Sequence, residues 1–512
     1  MERLGQTNPK QVAINLIANL ISATFGLLIS FFMTPFVVRQ IGSEAYAYIP
    51  LSVNFVTYFA IIAAAFTSMV SRFVTLHLHQ QDVQTAQAVY STSFYSNVLL
   101  AFGLALVIGS GLPFLENIIR IPSNLINDVR WLFVFMFLTF FTNILHTVFT
   151  VKSYSLNRLD IHSRITMTTV MIKVGLLVGL YSMLPPKIYY FGLATWLSVL
   201  GGALMHVVYS SHVLPQLQIR RSAFRWTLLK SLVSSGSWNA FSQLSVVLMS
   251  GLDLLLANWL LGPREAGLLA IAKTLPIAIQ TLINVVPATF GPYLTIAYTQ
   301  QSIDHFKTTL NQVLRLTAGL ISLPIAGLVV LIPAFMKLWI PEVTDTSLVM
   351  LTWLSLGSII GNFAAQPLLH VFVITNRVKW PAIVTFLGGV LNLIIVMALV
   401  HWTDWDLYAI AGVSGAIDLV RSTVFVPWYA ARCLALPKGT FYPLLGRLGA
   451  AFIGLVGVFT AVVWILKPTS WLALASTILL LGGLGMVWNL VFVATPTQVR
   501  FGLQVILEKM KS

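Results

Sequence analysis

Hydrophobic and polar positions in this chain segregate by whole segments: long apolar runs are separated by short breaks that collect the charges, prolines and glycines. A helix that crosses the hydrocarbon of a bilayer needs about 20 mainly apolar residues, so cutting at the breaks predicts about fourteen spans. Their cores are 13–38, 46–72, 88–111, 130–151, 165–184, 188–212, 236–261, 266–297, 311–336, 347–374, 380–401, 407–431, 443–466 and 471–494. The predicted fold class is all-α, a polytopic membrane protein. The first run is too long for the apolar core of a signal peptide and reads as a retained anchor.

A second pattern lies over the first. The stretch Phe73 to Val83, with Thr75 and Gln80-Gln81, returns as Tyr293 to Ile303 with Thr295 and Gln300-Gln301, a displacement of 293 − 73 = 220 positions. The same displacement carries Ile41-Gly42 onto Leu261-Gly262, and 376 − 157 = 219 carries Asn157-Arg158-Leu159 onto Asn376-Arg377-Val378. These anchors indicate a duplication. They predict two six-helix lobes related as parallel repeats, with two C-terminal helices appended and a cavity between the lobes as the natural binding place. The expected division is a lobe over 1–213, an amphipathic linker over 214–236 on the inner surface, a lobe over 237–434, and two helices with a cytoplasmic tail over 435–512. The linker, with Arg220, Arg221, Arg225 and Lys230 among apolar residues, reads as an interfacial helix, and the tail Val499 to Lys511 has the same character.

Composition agrees with the bilayer as solvent: 57% of 512 residues are hydrophobic and 9% charged. Lys and Arg number 30 against 15 Asp and Glu, but they are scattered singly rather than gathered on one module, which argues against nucleic acid. Most fall in the breaks that an inward N-terminus makes cytoplasmic. Only Arg39, Arg120, Arg130, Lys187, Arg264, Lys337 and Lys467 fall on the other side. That asymmetry predicts a multi-pass protein of the plasma membrane with both termini cytoplasmic. One cysteine excludes an internal disulfide, and no Walker loop, His-Glu-x-x-His or strand-flanked Gly-x-Gly-x-x-Gly occurs. No cofactor is expected. His77 and His79 map onto Ala297 and Thr299 in the repeat, so no metal site is expected either.

Ionisable residues inside spans cost ~3 kcal/mol or more near the midplane and are functional candidates. They are Lys173, Asp253, Lys273, Asp418 and Arg421. Asp253 and Lys273 lie ten residues on either side of Pro263, at the tip of the seventh-to-eighth hairpin, so an ion pair at one depth is natural. Asp418 and Arg421 share a helical face. Either acid is a candidate for ion coupling or for structural pairing. Lys173 has no acidic sequence neighbour and maps onto Asn392, which predicts a lumen-facing position. Asn15, Asn19 and Ser22 form a polar stripe on the first span, which ends at Arg39, and Asn54 and Gln280 add polar groups on the second and eighth. If these line one passage, the cations Arg39, Lys173, Lys273 and Arg421 outnumber the acids and favour an anionic, phosphate-bearing substrate. Prolines 35, 276, 287 and 292 mark helices expected to bend.

The opening run Asn15 to Pro35, followed by Arg39-Gln40-Ile41-Gly42-Ser43-Glu44-Ala45-Tyr46, resembles the start of polysaccharide-transport flippases of the multidrug/oligosaccharidyl-lipid/polysaccharide exporter superfamily. So does Asn157-Arg158, with its counterpart Asn376-Arg377. The resemblance implies alternating access and transport of undecaprenyl-diphosphate-linked oligosaccharide from the inner to the outer leaflet, with no enzymatic step. It also implies that the lipid tail stays in the bilayer beside the first and eighth helices, which here carry Arg39 and Lys273. Expected partners are that substrate, membrane lipid and a coupling proton or sodium ion. The chain lacks the Arg-Asp pair that lipid-linked peptidoglycan precursor flippases carry in the first span, which argues against that substrate. An ion-coupled multidrug exporter is the other alternative, disfavoured by the two extra helices and the cation excess. A membrane glycosyltransferase would need larger loops than these breaks provide.

Overall fold

A computed structural model of the chain describes residues 9–67, 69–156, 158–300, 302–341 and 346–493. Arg3, Asn157, Gln301 and the tail Val499–Lys511 lie outside the described residues, as do the side chains of His79, Pro287 and Pro292. Among the described residues every regular element is helical. Among the described residues eleven helices are long and apolar enough to cross a membrane, or up to thirteen if each of two bent pairs is one span. The expected eighth span falls on a further helix, Pro263–Gln300, of 38 residues. The chain divides into two compact units, Met1–Ala270 and Ile271–Ser512.

The first unit holds α1 (Pro9–Ile41), α2 (Ser43–Tyr46), α3 (Tyr48–Thr67), α4 (Val70–His79), α5 (Val83–Gly111), α6 (Leu115–Ile118), α7 (Ile126–Ser155), α8 (Leu159–Met183), α9 (Tyr189–Val213), α10 (Trp226–Val246) and α11 (Asp253–Leu256). It ends in the first turns of α12 (Pro263–Gln300). α7 packs against α9, α3, α4 and α5, while α8 touches both α9 and α1. Small residues let these backbones approach, since lipid offers no hydrophobic drive between helices. A Cβ on Gly192 of α9 would stand 3.1 Å from the Leu132 carbonyl oxygen of α7, and one on Gly236 of α10 would collide with the Ala65 carbonyl of α3.

The expected linker helix is not formed. Residues 214–225 are non-helical apart from one 3₁₀ turn, Arg221–Ala223, and the remainder of 214–236 is already α10. The physical reason is hydrogen-bond competition from α5. Its buried Ser91 accepts from the Arg220 amide at 3.1 Å and donates to the Gln218 carbonyl at 3.2 Å, and Thr92 accepts from the Arg225 amide at 3.0 Å. Backbone groups engaged this way cannot serve an i to i−4 ladder.

The second unit holds the rest of α12, α13 (Ile303–Trp339), α14 (Thr346–Ser355), α15 (Gly357–Asn362), α16 (Gln366–Ile374), α17 (Lys379–Trp402), α18 (Asp406–Val420), α19 (Val426–Cys433), α20 (Tyr442–Leu466) and α21 (Trp471–Phe492). α13 packs against α20, α21, α16 and α14. α15 crosses α18 where Gly357 and Gly361, spaced one turn apart, meet Gly415 and Leu419.

The prolines singled out from the sequence break no helix, and of the two observed bends one has Pro367 in the first turn of its second helix. α1 runs through Pro35 and α12 is one helix, whereas the bends of 44° and 49° divide Trp226–Gly251 from Asp253–Leu261 and Ser347–Asn362 from Gln366–Ile374. The first follows a π turn at Val247–Gly251, a known cause of kinks. Carbonyls beside such irregularities find side-chain donors. Tyr58 Oη donates to Gly251 O at 2.7 Å, Tyr442 Oη to Val424 O at 2.7 Å beside the π turn Arg421–Phe425, and Trp353 Nε1 to Val329 O at 2.8 Å, the carbonyl that Pro333 cannot bond.

The duplication is legible in local backbone geometry. Gly42 and its partner Gly262 both have positive φ, 83° and 128°. Asp82 and its partner Ser302 both cap a helix, accepting from Thr85 N at 3.0 Å and His305 N at 3.4 Å. The Thr85 bonds hold the Asp82 carboxyl below its ordinary pKa. Arg158 N donates to Ser153 O at 2.8 Å, and Arg377 N to Phe372 O at 2.8 Å, 219 positions on in both donor and acceptor. Around Arg377 the motif is a Schellman end with Asn376 at φ 54°.

The Gly236 contact yields a prediction. Gly236→Ala should destabilise the protein by ~1–3 kcal/mol, since two backbones must part, while Gly175→Ala, which meets nothing within 4 Å, should change stability by less than about 1 kcal/mol. Thermal unfolding in detergent measures both, and equal effects would contradict the packing described.

Candidate functional site

In the first unit the polar stripe of α1 meets α8. Asn15 Oδ1 accepts from the Asp160 amide at 3.1 Å, and Asn19 Oδ1 accepts from Ser163 Oγ at 2.7 Å. Their i, i+4 spacing brings both asparagines to one face, opposite residues spaced i, i+3 on α8. Beside these bonds lies a pocket of 290 Å³ lined by Ile14, Ala18, Ile21, Asp160, Ser163, Arg164 and Met167. Asp160 is 3% exposed and takes a two-pronged ion pair from Arg158, Nε to Oδ1 at 3.0 Å and Nη2 to Oδ2 at 3.2 Å. Sequence reasoning used Arg158 as a repeat anchor and passed over Asp160. The Arg-x-Asp spacing at a helix start was the available signal.

Lys173, also on α8, does not join that pocket. Thirteen residues past Asp160, it stands about 140° away around the helix at 3.6 residues per turn. Its Nζ lies 4.0 Å from the centre of the Phe191 ring on α9, and no carboxylate pairs with it among the described residues. Three imidazoles meet where α7, α8 and α9 pack, with the rings of His146 of α7 and His162 of α8 tilted by 34° at 5.6 Å and 5.3 Å from that of His206 of α9. No group of acidic, histidine or cysteine side chains among the described residues suits a metal ion. Lys152, in the last turn of α7, is 4% exposed. Its ammonium donates to Ser210 O, in the last turn of α9, at 2.9 Å and to Leu214 O, just past that helix, at 3.0 Å.

The remaining candidates of this unit are dispersed. Arg39 is exposed in the last turn of α1, Asn54 is half-buried on α3, and Asp253 is 1% exposed at the start of α11, between π turns at Val247–Gly251 and Ala257–Leu261. Asn258 lies in the second π turn. It holds the Arg120 backbone through the amide at 2.8 Å and the carbonyl at 3.2 Å, and Tyr48 Oη adds a third bond at 2.7 Å.

In the second unit Asp418 and Arg421 are paired, with Nη2 2.6 Å and Nε 2.8 Å from the same carboxylate oxygen. Arg421 Nη1 also reaches Thr385 Oγ1 of α17 at 3.4 Å. The pair sits where α18 gives way to the π turn. Lys273 is half-buried on α12, and Gln280 Nε2 donates to Asn284 Oδ1 one turn on at 2.7 Å. Asn392, the repeat partner of Lys173, is wholly buried on α17.

No protein-family model matches the chain. Its fold resembles that of a structure described as "Lipid II flippase MurJ, inward closed conformation", with TM-score 0.63 and 12% identity over 94% of this chain and 98% of that one. An inward-facing multidrug resistance MATE family transporter of the MOP superfamily aligns with TM-score 0.61 and 15% identity over 83% and 98%. The chain is therefore an all-α, multi-pass membrane protein with the architecture of MOP-superfamily transporters. In sequence it is 28% identical over 466 residues, 91% of its length and 92% of the other's, to a Bacillus subtilis (strain 168) protein known as "Uncharacterized membrane protein EpsK".

Breaking the pair in the second unit tests its local role. Asp418→Ala alone should destabilise by ~3–5 kcal/mol because it strands a guanidinium, whereas Asp418→Ala with Arg421→Met should cost clearly less. Melting temperatures of the two single variants and the double close the cycle. Additive losses would show that the ion pair carries no coupling.

Proposed function

We propose that the chain is a flippase that carries an undecaprenyl-diphosphate-linked oligosaccharide, a surface polysaccharide unit, from the inner to the outer leaflet of a bacterial plasma membrane by alternating access. The observation that carries this reading is Lys173, an ammonium midway along the span Leu159–Met183, held on an aromatic ring without a carboxylate partner among the described residues. A cation that lipid would reject and no acid neutralises suits an anionic cargo. Resemblance to a fold whose solved representative is named a lipid II flippase supports a lipid-linked substrate.

On this reading Lys173, Lys273 and Arg39 meet the diphosphate, and Arg421 joins them when its pair with Asp418 opens. Asn15, Asn19, Asn54 and Gln280 line the polar path. Asp253 or Asp418 takes the coupling ion, a proton or sodium. The lobes are 1–213 and 237–434, followed by two helices within 435–512 that suit a long lipid tail, and both termini are cytoplasmic. The protein moves its substrate without covalent chemistry, as a carrier rather than an enzyme. A multidrug exporter is the second reading, favoured by the buried acid Asp160 beside the α1–α8 pocket. Its bidentate pairing with Arg158 weakens the attraction for a cationic drug.

The test measures surface polymer and the leaflet distribution of its lipid-linked precursor in cells carrying Lys173→Ala with Lys273→Ala. Losing the phosphate contacts should lower export roughly tenfold, equivalent to ~1.4 kcal/mol. Full export would reject the cation role, and a loss of drug efflux with normal polymer would favour the second reading.

A further inference from the structure

We propose that the strap between α9 and α10, residues 218–226, is a binding ledge for the headgroups of anionic phospholipids. It rests on different residues from the transport reading and stands without it. The strap joins two helices that each qualify to cross a membrane, Tyr189–Val213 and the bent pair that starts at Trp226, so connectivity alone puts it at the edge of the bilayer.

Its inner side is anchored. Leu214 and Leu217 are buried among Val70, Val74, Val89 and Leu232, and Ile219 packs against the same cluster. Ser91 and Thr92 of α5, both 0% exposed, hold the backbone at Gln218, Arg220 and Arg225. Only the turn Arg221–Ala223 and Phe224 lie between the two anchored amides. The ledge is therefore fixed before anything binds, and a ligand need not order its backbone.

Its outer side is cationic and aromatic. Arg220, Arg221, Arg225 and Lys230 are exposed, four cations within one short stretch. Asp82 is the acid whose field acts on Arg225, while Arg220 and Arg221 pair with no carboxylate among the described residues. Arg220 Nη2 engages only the neutral Gln218 Oε1, at 3.1 Å. Trp226 is 57% exposed beside Phe224, with ring centres 6.5 Å apart. Guanidinium forks match phosphate oxygens, and an indole next to them sits at headgroup depth. A protein partner with an acidic segment would satisfy the arginines but give no reason for the exposed tryptophan at a bilayer edge. Clusters of this size beside a span are the recurrent sign of anionic-lipid recognition.

The experiment places the full chain in nanodiscs that contain either brominated phosphatidylglycerol or brominated phosphatidylcholine. Quenching of Trp226 is taken as the difference between the parent and Trp226→Phe. Brominated phosphatidylglycerol should quench several-fold more than brominated phosphatidylcholine, and the preference should vanish in the variant combining Arg220→Gln, Arg221→Gln and Arg225→Gln. Equal quenching in the parent, or an undiminished preference in the variant, overturns the proposal. Should the variant fail to fold, a salt titration of the parent decides. A preference that falls as salt rises supports the ledge, and one indifferent to salt overturns it. Added inorganic phosphate or polyglutamate separates the occupants. If either abolishes the preference at concentrations where matched chloride does not, the ledge binds that soluble anion and the lipid assignment fails.

Discussion

The constraint on which this structure depends is that a helix in hydrocarbon has no water to satisfy its backbone. Regular helices meet it automatically, so its consequences show where regularity ends. Tyr58 at Gly251, Tyr442 at Val424 and Trp353 at Val329 each bring a donor from another helix to a carbonyl beside a π turn or a proline. Helix ends obey the same rule with charge. Lys152 closes the end of α9, and Arg315 Nη1 donates to Val493 O, just past α21, at 3.0 Å. An irregular helix here is thus a place where two helices are tied together.

That rule also explains why the duplication survives where it does. Apolar faces drift freely because one aliphatic residue packs much like another. A helix end cannot drift in the same way, because it must supply a cap, a left-handed residue or a six-to-one bond at a fixed position. Gly42 with Gly262, Asp82 with Ser302, and Arg158 with Arg377 are all such positions, and each pair keeps its geometry although the residue type changes in one of them.

The same distinction separates what could be read from the sequence from what could not. The spans were legible because the length of an apolar run is a property of the chain alone. The shared face of Asn15 and Asn19 and the Asp418–Arg421 pair follow from spacing on one helix, whereas the α8 partners of the asparagines do not. The partners of Lys152 were not legible, because a lysine near the end of a span looks the same whether it reaches water or a neighbouring helix end. The linker was misread because its helical pattern is real, and only Ser91 and Thr92, distant in sequence, divert its backbone. The first bend escaped because a π turn carries no mark in the sequence, whereas the second has Pro367 in the first turn after it. Lys173 and Asp160 share α8, yet only their separation around the helix places them on different faces, against α9 and α1.

The cations inside the first and second units are compensated unequally, and the inequality bears on function. Arg421 has a carboxylate at 2.6 Å, and Lys152 has two carbonyls at the negative end of a helix near the end of its own span. Lys173 has a phenyl face, and a cation–π contact of this kind contributes ~0.5–2 kcal/mol. Its position in the middle of a span costs ~3 kcal/mol or more. The ring therefore offsets only part of that cost, and a leucine at the same position would pack against Phe191 with none of it. A residue that weakens the resting protein gains its justification from a state in which a stronger counter-charge stands beside it. On the proposed flippase reading, an anionic headgroup in transit would supply one without leaving a permanent ion pair that would have to be broken at each passage.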